Sequence, residues 1–145
     1  MSLRTDQFFF NAIRANASLW NQVGGRVFNP DRSTVDDKAD RIPYLIIHMD
    51  GVQNDIGSKD DVEGDIDTVQ IGILCVASDR DKLATLTEAV RRQCITYLHQ
   101  VEEDPTASDR LLAPLDWEFT AEAVNYDEKK PCVWQQLNYK CDTNR

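Results

Sequence analysis

Two histidines, four scattered cysteines and six glycines leave this 145-residue chain poorly supplied for most catalytic chemistry. Cys75, Cys94, Cys132 and Cys141 contain no C-x-x-C pair or comparable metal-ligand spacing. Cys75 lies in the apolar run 71–76 and Cys94 near the stripe of a helical segment, so both read as small buried hydrophobes. A chain with a real core does not need disulfides, and reduced structural thiols are expected. His48 ends an apolar stretch and His99 ends a helical one; neither stands near a Ser or Cys in a strained turn. Gly24-Gly25 is not followed by Lys-Ser or Lys-Thr and closes a helix rather than opening one, which excludes a phosphate-cradling loop there. Basic residues are also short, 16 against 25 acidic, for a formal charge of −9. Sequence-independent binding to nucleic acid draws on clustered Lys and Arg, and so does a polybasic membrane surface; neither is expected here. No apolar run approaches the ~20 residues that span a bilayer. The start of the chain, with Arg4 and Asp6 around Phe8-Phe9-Phe10, does not resemble a signal peptide.

What is present fits one globular domain over residues 1–145, with 41% hydrophobic and 28% charged residues. Phe8, Phe9, Ala12, Ile13, Ala15 and Leu19 recur at helical spacing and predict a helix from about Thr5 to Trp20, ended by Gly24-Gly25. Arg26–Phe28 is a short extended piece, and Asp31–Asp40 is a polar loop. Pro43–Met49 is a strand whose two faces are both apolar, which predicts a central place with at least partial cover on both sides. Gly51–Gly64 reads as a polar connection, and Asp65–Ala77 then alternates with period two as a long strand. Ser78, three residues before Asp81, marks a capping box opening a helix to about His99. Its apolar stripe is Leu83, Leu86, Val90, Cys94 and Tyr97, with Arg91, Arg92 and Gln93 on the outer side. A polar linker from Glu102 to Ala113 leaves Leu111 and Leu112 to be packed. Trp117–Val124 alternates as a strand, Asp127–Pro131 turns, and Val133–Lys140 returns as its hairpin partner. The order α-β-β-β-α-β-β predicts an α+β fold, two helices against a mainly antiparallel sheet.

The densest constellation of charge is acidic. Asp60, Asp61, Glu63, Asp65 and Asp67 fall within eight residues of a polar connection. Oxygen ligands in that number suit a hard cation such as calcium, although the spacing fails the EF-hand pattern. A solvated loop is the simpler reading, and a small calcium- or ligand-binding module using residues 55–67 is the alternative. No residue is assigned a catalytic, cofactor-binding or metal-binding role. Trp134 lies on the opposite strand face from Val133, Leu137 and Tyr139, so one of those faces is a candidate apolar interface.

Three segments carry a resemblance. Gly25-Arg26-Val27-Phe28 follows the first helix, and Arg41-Ile42-Pro43-Tyr44-Leu45-Ile46-Ile47 comes next. The long alternating strand then feeds Ser78-Asp79-Arg80-Asp81-Lys82-Leu83-Ala84-Thr85-Leu86-Thr87-Glu88-Ala89-Val90-Arg91. Together they resemble the phage tail-terminator and tail-completion proteins of prophage and siphophage tail operons. The resemblance implies a non-enzymatic virion protein of small α+β fold, without cofactor, assembled in the host cytoplasm and resident in the tail. It implies a ring, commonly hexameric, whose partners are further copies, the tail-tube protein and the head–tail connector. In such a ring Asp60, Asp61, Glu63 and Asp65 are expected to face the lumen, where negative charge repels passing DNA.

Overall fold

A computed structural model describes residues 4–29, 41–55, 66–129 and 131–144. The first predicted helix is two: α1, Thr5–Arg14, and α2, Ala17–Gln22. Asn16 causes the break. Its backbone leaves the helical region, and its side chain accepts from the Leu19 amide at 3.0 Å, capping α2. Gln93, from the long helix described below, donates to the Ala12 carbonyl at 2.8 Å and accepts from the Asn16 side chain at 3.2 Å. The groups exposed by the interruption are thus satisfied across the layer. This also corrects Gln93, which faces α1 rather than solvent.

Gly24 and Gly25 end α2 as expected, at φ of 58° and 70°, with the Gly25 amide donating to the Trp20 carbonyl at 3.0 Å. The chain then enters β1, Val27–Phe28, and β2, Tyr44–Asp55. These pair in parallel, Val27 opposite Leu45 and Phe28 opposite Ile46. β2 runs well past the predicted end at Met49. A bulge at Asp50 shifts its register, and residues 51–55 continue to pair with β3, Ile66–Ala77. The polar composition after Gly51 had suggested a loop; the long partner strand overrides it.

α3, Arg80–Glu103, follows β3 and exceeds its predicted end by four residues. Asp79, not Ser78, is its cap, accepting from the Lys82 amide at 2.8 Å. Asp79→Ala is therefore expected to lower stability by about 1 kcal/mol, with Ser78→Ala nearly silent in the same urea titration. After α3 a short 3₁₀ turn, Ser108–Leu111, occupies the predicted linker. It buries Leu112 but leaves Leu111 outside, 74% exposed. Asp109 pins the turn: it accepts from Asn11 at 3.0 and 2.9 Å and from the Tyr97 hydroxyl.

β4, Asp116–Ala121, ends short of the predicted Val124. A separate β5, Asn125–Asp127, then turns into β6, Cys132–Asn144, which is longer than expected. β4 and β5 both pair antiparallel to β6, so the predicted hairpin stands in two pieces. The main strand order is β1-β2-β3-β6-β4, with β5 also on β6. Every pairing but β1–β2 is antiparallel. β3 and β4 run in the same sense on either side of β6, so α3 makes a crossover that β6 splits.

The α+β class is as predicted and the element order roughly so, with the first helix and the last hairpin each divided and the helical layer on one sheet face. Between helices and sheet lie Phe8, Phe9, Ile13, Leu45, Ile47, Ile71, Ile73, Leu83, Leu86, Val90, Leu137 and Tyr139, all buried. Phe9 meets Phe8, Trp117 and Tyr139 at ring-centroid distances of 5.4, 5.6 and 4.8 Å. Arg91 is not simply solvated either; its guanidinium stands 4.2 Å from the centre of the Phe119 ring.

Candidate functional site

The sheet face opposite the helices carries the candidate site. Strand alternation sends Leu45, Ile47, Ile73 and Leu137 into the core and their neighbours Tyr44, Ile46, Leu74 and Gln136 to the other side. β2 is fully buried on one face, through Leu45 and Ile47, while Tyr44, Ile46 and His48 on the other are half-buried, so the cover expected on both sides is complete on one and partial on the other. Periodicity shows which residues share a face, whereas a second layer is a property of the whole chain path.

The open face has two halves. Around one end of the sheet Phe28, Tyr44, Ile46, Leu74, Val76 and Trp134 adjoin through the pairings Phe28–Ile46, Ile46–Leu74, Tyr44–Val76 and Val76–Trp134. The Phe28 and Tyr44 rings meet edge to face at 6.1 Å. Trp134 thus shares a half-buried apolar patch on this face, in which Val76 is buried, and its strand parity separates it from Leu137 and Tyr139. The other half is polar: Asp50, Gln70, Glu118, Thr120, Glu122, Asn138 and Lys140 line a shallow depression of about 400 Å³. His48 sits where the halves meet, its Nδ1 against the Asp50 carboxylate. Gly72 lies beneath it; a Cβ there would come within 2.6 Å of His48 Nε2 and 2.9 Å of Gln136 Nε2. The glycine in the middle of a central strand is explained by that close approach.

Asp60, Asp61, Glu63 and Asp65 lie outside the described residues, as does the 31–40 loop. Asp67, the last of the acidic series, is in β3 and 6% exposed, its carbonyl accepting from the Thr143 hydroxyl at 3.2 Å. Among the described residues no group of three or more His, Cys, Asp or Glu side chains is placed to hold a metal ion. Among them, too, no helix is long and apolar enough to cross a membrane.

All four cysteines are free thiols. Burial pushes the Cys94 thiol up to about 12, and it raises Cys75 and Cys141 further. Thiols so placed stay protonated at neutral pH and are poor nucleophiles. Tyr139 is likewise held protonated, by burial first and by the neighbouring Cys94 next. These groups belong to the core.

A further groove, about 450 Å³, runs between α3 and β4, with Phe119, Ala121 and Leu137 as its floor. Arg91, Arg92 and Ile95 stand over it from α3, Arg92 bound to Glu88 at 2.7 Å. Sequence reasoning had not found this groove, because its floor and wall come from segments that only the β3–α3–β4 crossover brings together.

No protein-family model matches the chain, and no curated protein matches it. Among solved structures the fold is similar to that of a chain in the virion of a native gene transfer agent particle. The two superpose with a TM-score of 0.57 at 16% identity, covering 92% of this chain and 90% of the other. At that identity the likeness is one of fold.

Proposed function

We propose that this chain is a structural protein of a phage-like virion, and that it caps the tail tube as a ring. The single observation that carries the reading is the near end-to-end fold match to a virion chain, at a TM-score of 0.57. The resemblance of residues 25–28, 41–47 and 78–91 to tail-terminator proteins supports it from an independent direction. In this reading the chain is not an enzyme and needs no cofactor. Its partners are further copies of itself, most simply a hexamer, together with the tail-tube protein and the head–tail connector. Its place is the mature tail, after assembly in the host cytoplasm.

The physics of termination asks for two unlike ring faces. One must match the tube end, and the other must refuse a further tube subunit while accepting the connector. Side-by-side contacts in a closed ring use different patches on the two flanks of each subunit, leaving top, bottom and lumen free for those tasks. The acidic surplus suits a conduit for DNA. On the open sheet face Asp50, Asp116, Glu118, Glu122 and Asp142 outnumber Lys140 and His48. A lumen lined by such residues, or by Asp60, Asp61, Glu63 and Asp65, would repel phosphate at short range and let DNA slide.

The test is to add purified chain to polymerising tail tubes and image them by negative-stain electron microscopy. The reading expects tubes that stop at short, uniform length with a ring of density at one end. Tubes that grow unchanged, with no added density, would refute it.

A further inference from the structure

β4 lies at one end of the strand order, and among the described residues no strand pairs with its outer edge. The chain on either side of it, 104–115 and 122–129, is described, and neither segment pairs with that edge. The Leu115 and Glu122 amides donate instead to the Asp142 and Gln136 carbonyls of β6, at 2.8 and 2.9 Å. The Glu122 bond fixes the phase of the strand. Residues 118, 120 and 122 turn their backbone groups to β6, so those of Trp117, Phe119 and Ala121 point outward. The Asp116 carboxylate accepts from the Trp117 amide at 2.8 Å. The amides and carbonyls of Phe119 and Ala121 are left to solvent or to a further strand.

The side chains beside that edge differ between the two faces. On the helix side stands the groove of about 450 Å³, floored by Phe119, Ala121 and Leu137 and overhung by Ile95, 40% exposed. Arg91 enters it with its guanidinium 4.2 Å from the centre of the Phe119 ring. Arg92 is bound to Glu88 at 2.7 Å, but among the described residues Arg91 has no carboxylate at salt-bridge distance. A guanidinium over an apolar floor is suited to a carboxylate, bidentate where the geometry allows. On the other face Glu118, Thr120 and Glu122 are exposed, and that side is acidic.

A strand added to this edge alternates in step with β4. The side chains it places under α3 meet apolar surface and Arg91, and those between them meet Glu118 and Glu122. The edge therefore selects a pattern: apolar and acidic residues on one parity, polar and basic residues on the other.

We propose that the β4 edge and the α3–β4 groove bind an extended segment of another polypeptide by strand addition. That segment carries apolar residues and a carboxylate at alternate positions, for the groove and Arg91, with lysine or arginine between them for Glu118 and Glu122. Backbone bonds to Phe119 and Ala121 supply affinity, and the two rows of side chains supply specificity. Strand addition here stands apart from tube capping, which is judged on tube length.

The probe is the capped peptide Val-Lys-Val-Thr-Glu-Thr-Val-Lys-Val, titrated into the isotope-labelled full chain. Its control is the isomer in which the glutamate and one lysine trade places, with the same composition and the opposite charge parity. The peptide should bind saturably below about 1 mM, and the isomer should bind about tenfold more weakly. Hydrogen exchange at the Phe119 and Ala121 amides should slow on binding, while Glu118 and Thr120, already bonded to β6, should be unchanged. Ala121→Pro removes one outward donor and no bond to β6, so it should keep the wild-type melting curve and lose most of the affinity. Arg91→Gln, at an exposed position, should keep the fold and narrow the preference for the peptide over its isomer. Failure of both peptides to saturate, equal binding of the two, or slowed exchange confined to residues off β4 would overturn the proposal. So would Phe119 and Ala121 amides already protected in the concentrated chain without peptide, because the edge would then belong to a second copy.

Discussion

Phe9→Ala should lower the unfolding free energy by about 3–5 kcal/mol, the range for a large aromatic deleted from a packed core. Phe9 is fully buried on the sheet side of α1 and touches three other rings: Phe8, Trp117 and Tyr139. Two of those belong to strands far along the chain, β4 and β6, so the loss is felt across the whole layer boundary. Domains of this size have roughly 5–15 kcal/mol to lose, and about 2–4 °C of melting temperature goes with each kcal/mol. A fall of about 10–15 °C in a thermal melt is the expected reading. Phe10→Ala is the control. Phe10 is only half-buried at the margin of the core and, among the described rings, stacks on Trp20, edge to face at 5.9 Å, so its deletion should cost clearly less. Equal losses at the two positions would contradict the packing described here.

Alkaline pH should unfold this protein more steeply than its charge alone suggests. Cys75, Cys94 and Cys141 are buried, and desolvation raises each above the ordinary thiol value of 9.0. A thiol raised in the folded state contributes stability below its unfolded pKa and loses it as pH climbs toward the folded one. Here the window opens near pH 9 and reaches past the Cys94 value of about 12. Within it the unfolded chain releases protons that the folded chain retains, at about 1.4 kcal/mol per pH unit for each thiol. The three thiols act in the same direction, so stability should fall steeply once the pH passes the ordinary thiol value. Urea titrations should show a plateau below pH 8 and a steep decline above pH 9. Cys94→Ala should lessen that slope by one thiol's share, whatever its effect on stability at neutral pH. A slope unchanged between pH 8 and 11 would show that the thiols are accessible to solvent.

Several of these features were legible in the chain. The alternation of 65–77 marked β3 within one residue, because a strand flanked by turn residues carries its own period. Gly24-Gly25 stood where positive φ was needed, and the stripe Leu83–Tyr97 located α3. The break at Asn16 was not legible, since the group that holds it open, Gln93, is 77 residues away. The length of β2 was hidden by its polar end, which is a strand only because β3 continues opposite it. Of the site, Trp134 was correctly assigned to a separate face from Leu137 and Tyr139. The order of the strands was not visible, because it follows from topology: β6 inserts between β3 and β4. Asp60, Asp61, Glu63 and Asp65 keep their role as a proposal only, outside the described residues.

The central claim is that this chain sets where a tail ends. Its most direct test is the distribution of tail lengths in particles made with and without the chain, measured by electron microscopy. The account predicts that omitting it yields overlong, variable tubes detached from heads, and that supplying it in trans restores one length and the junction. Tails of normal length, joined to heads in its absence, would contradict the account.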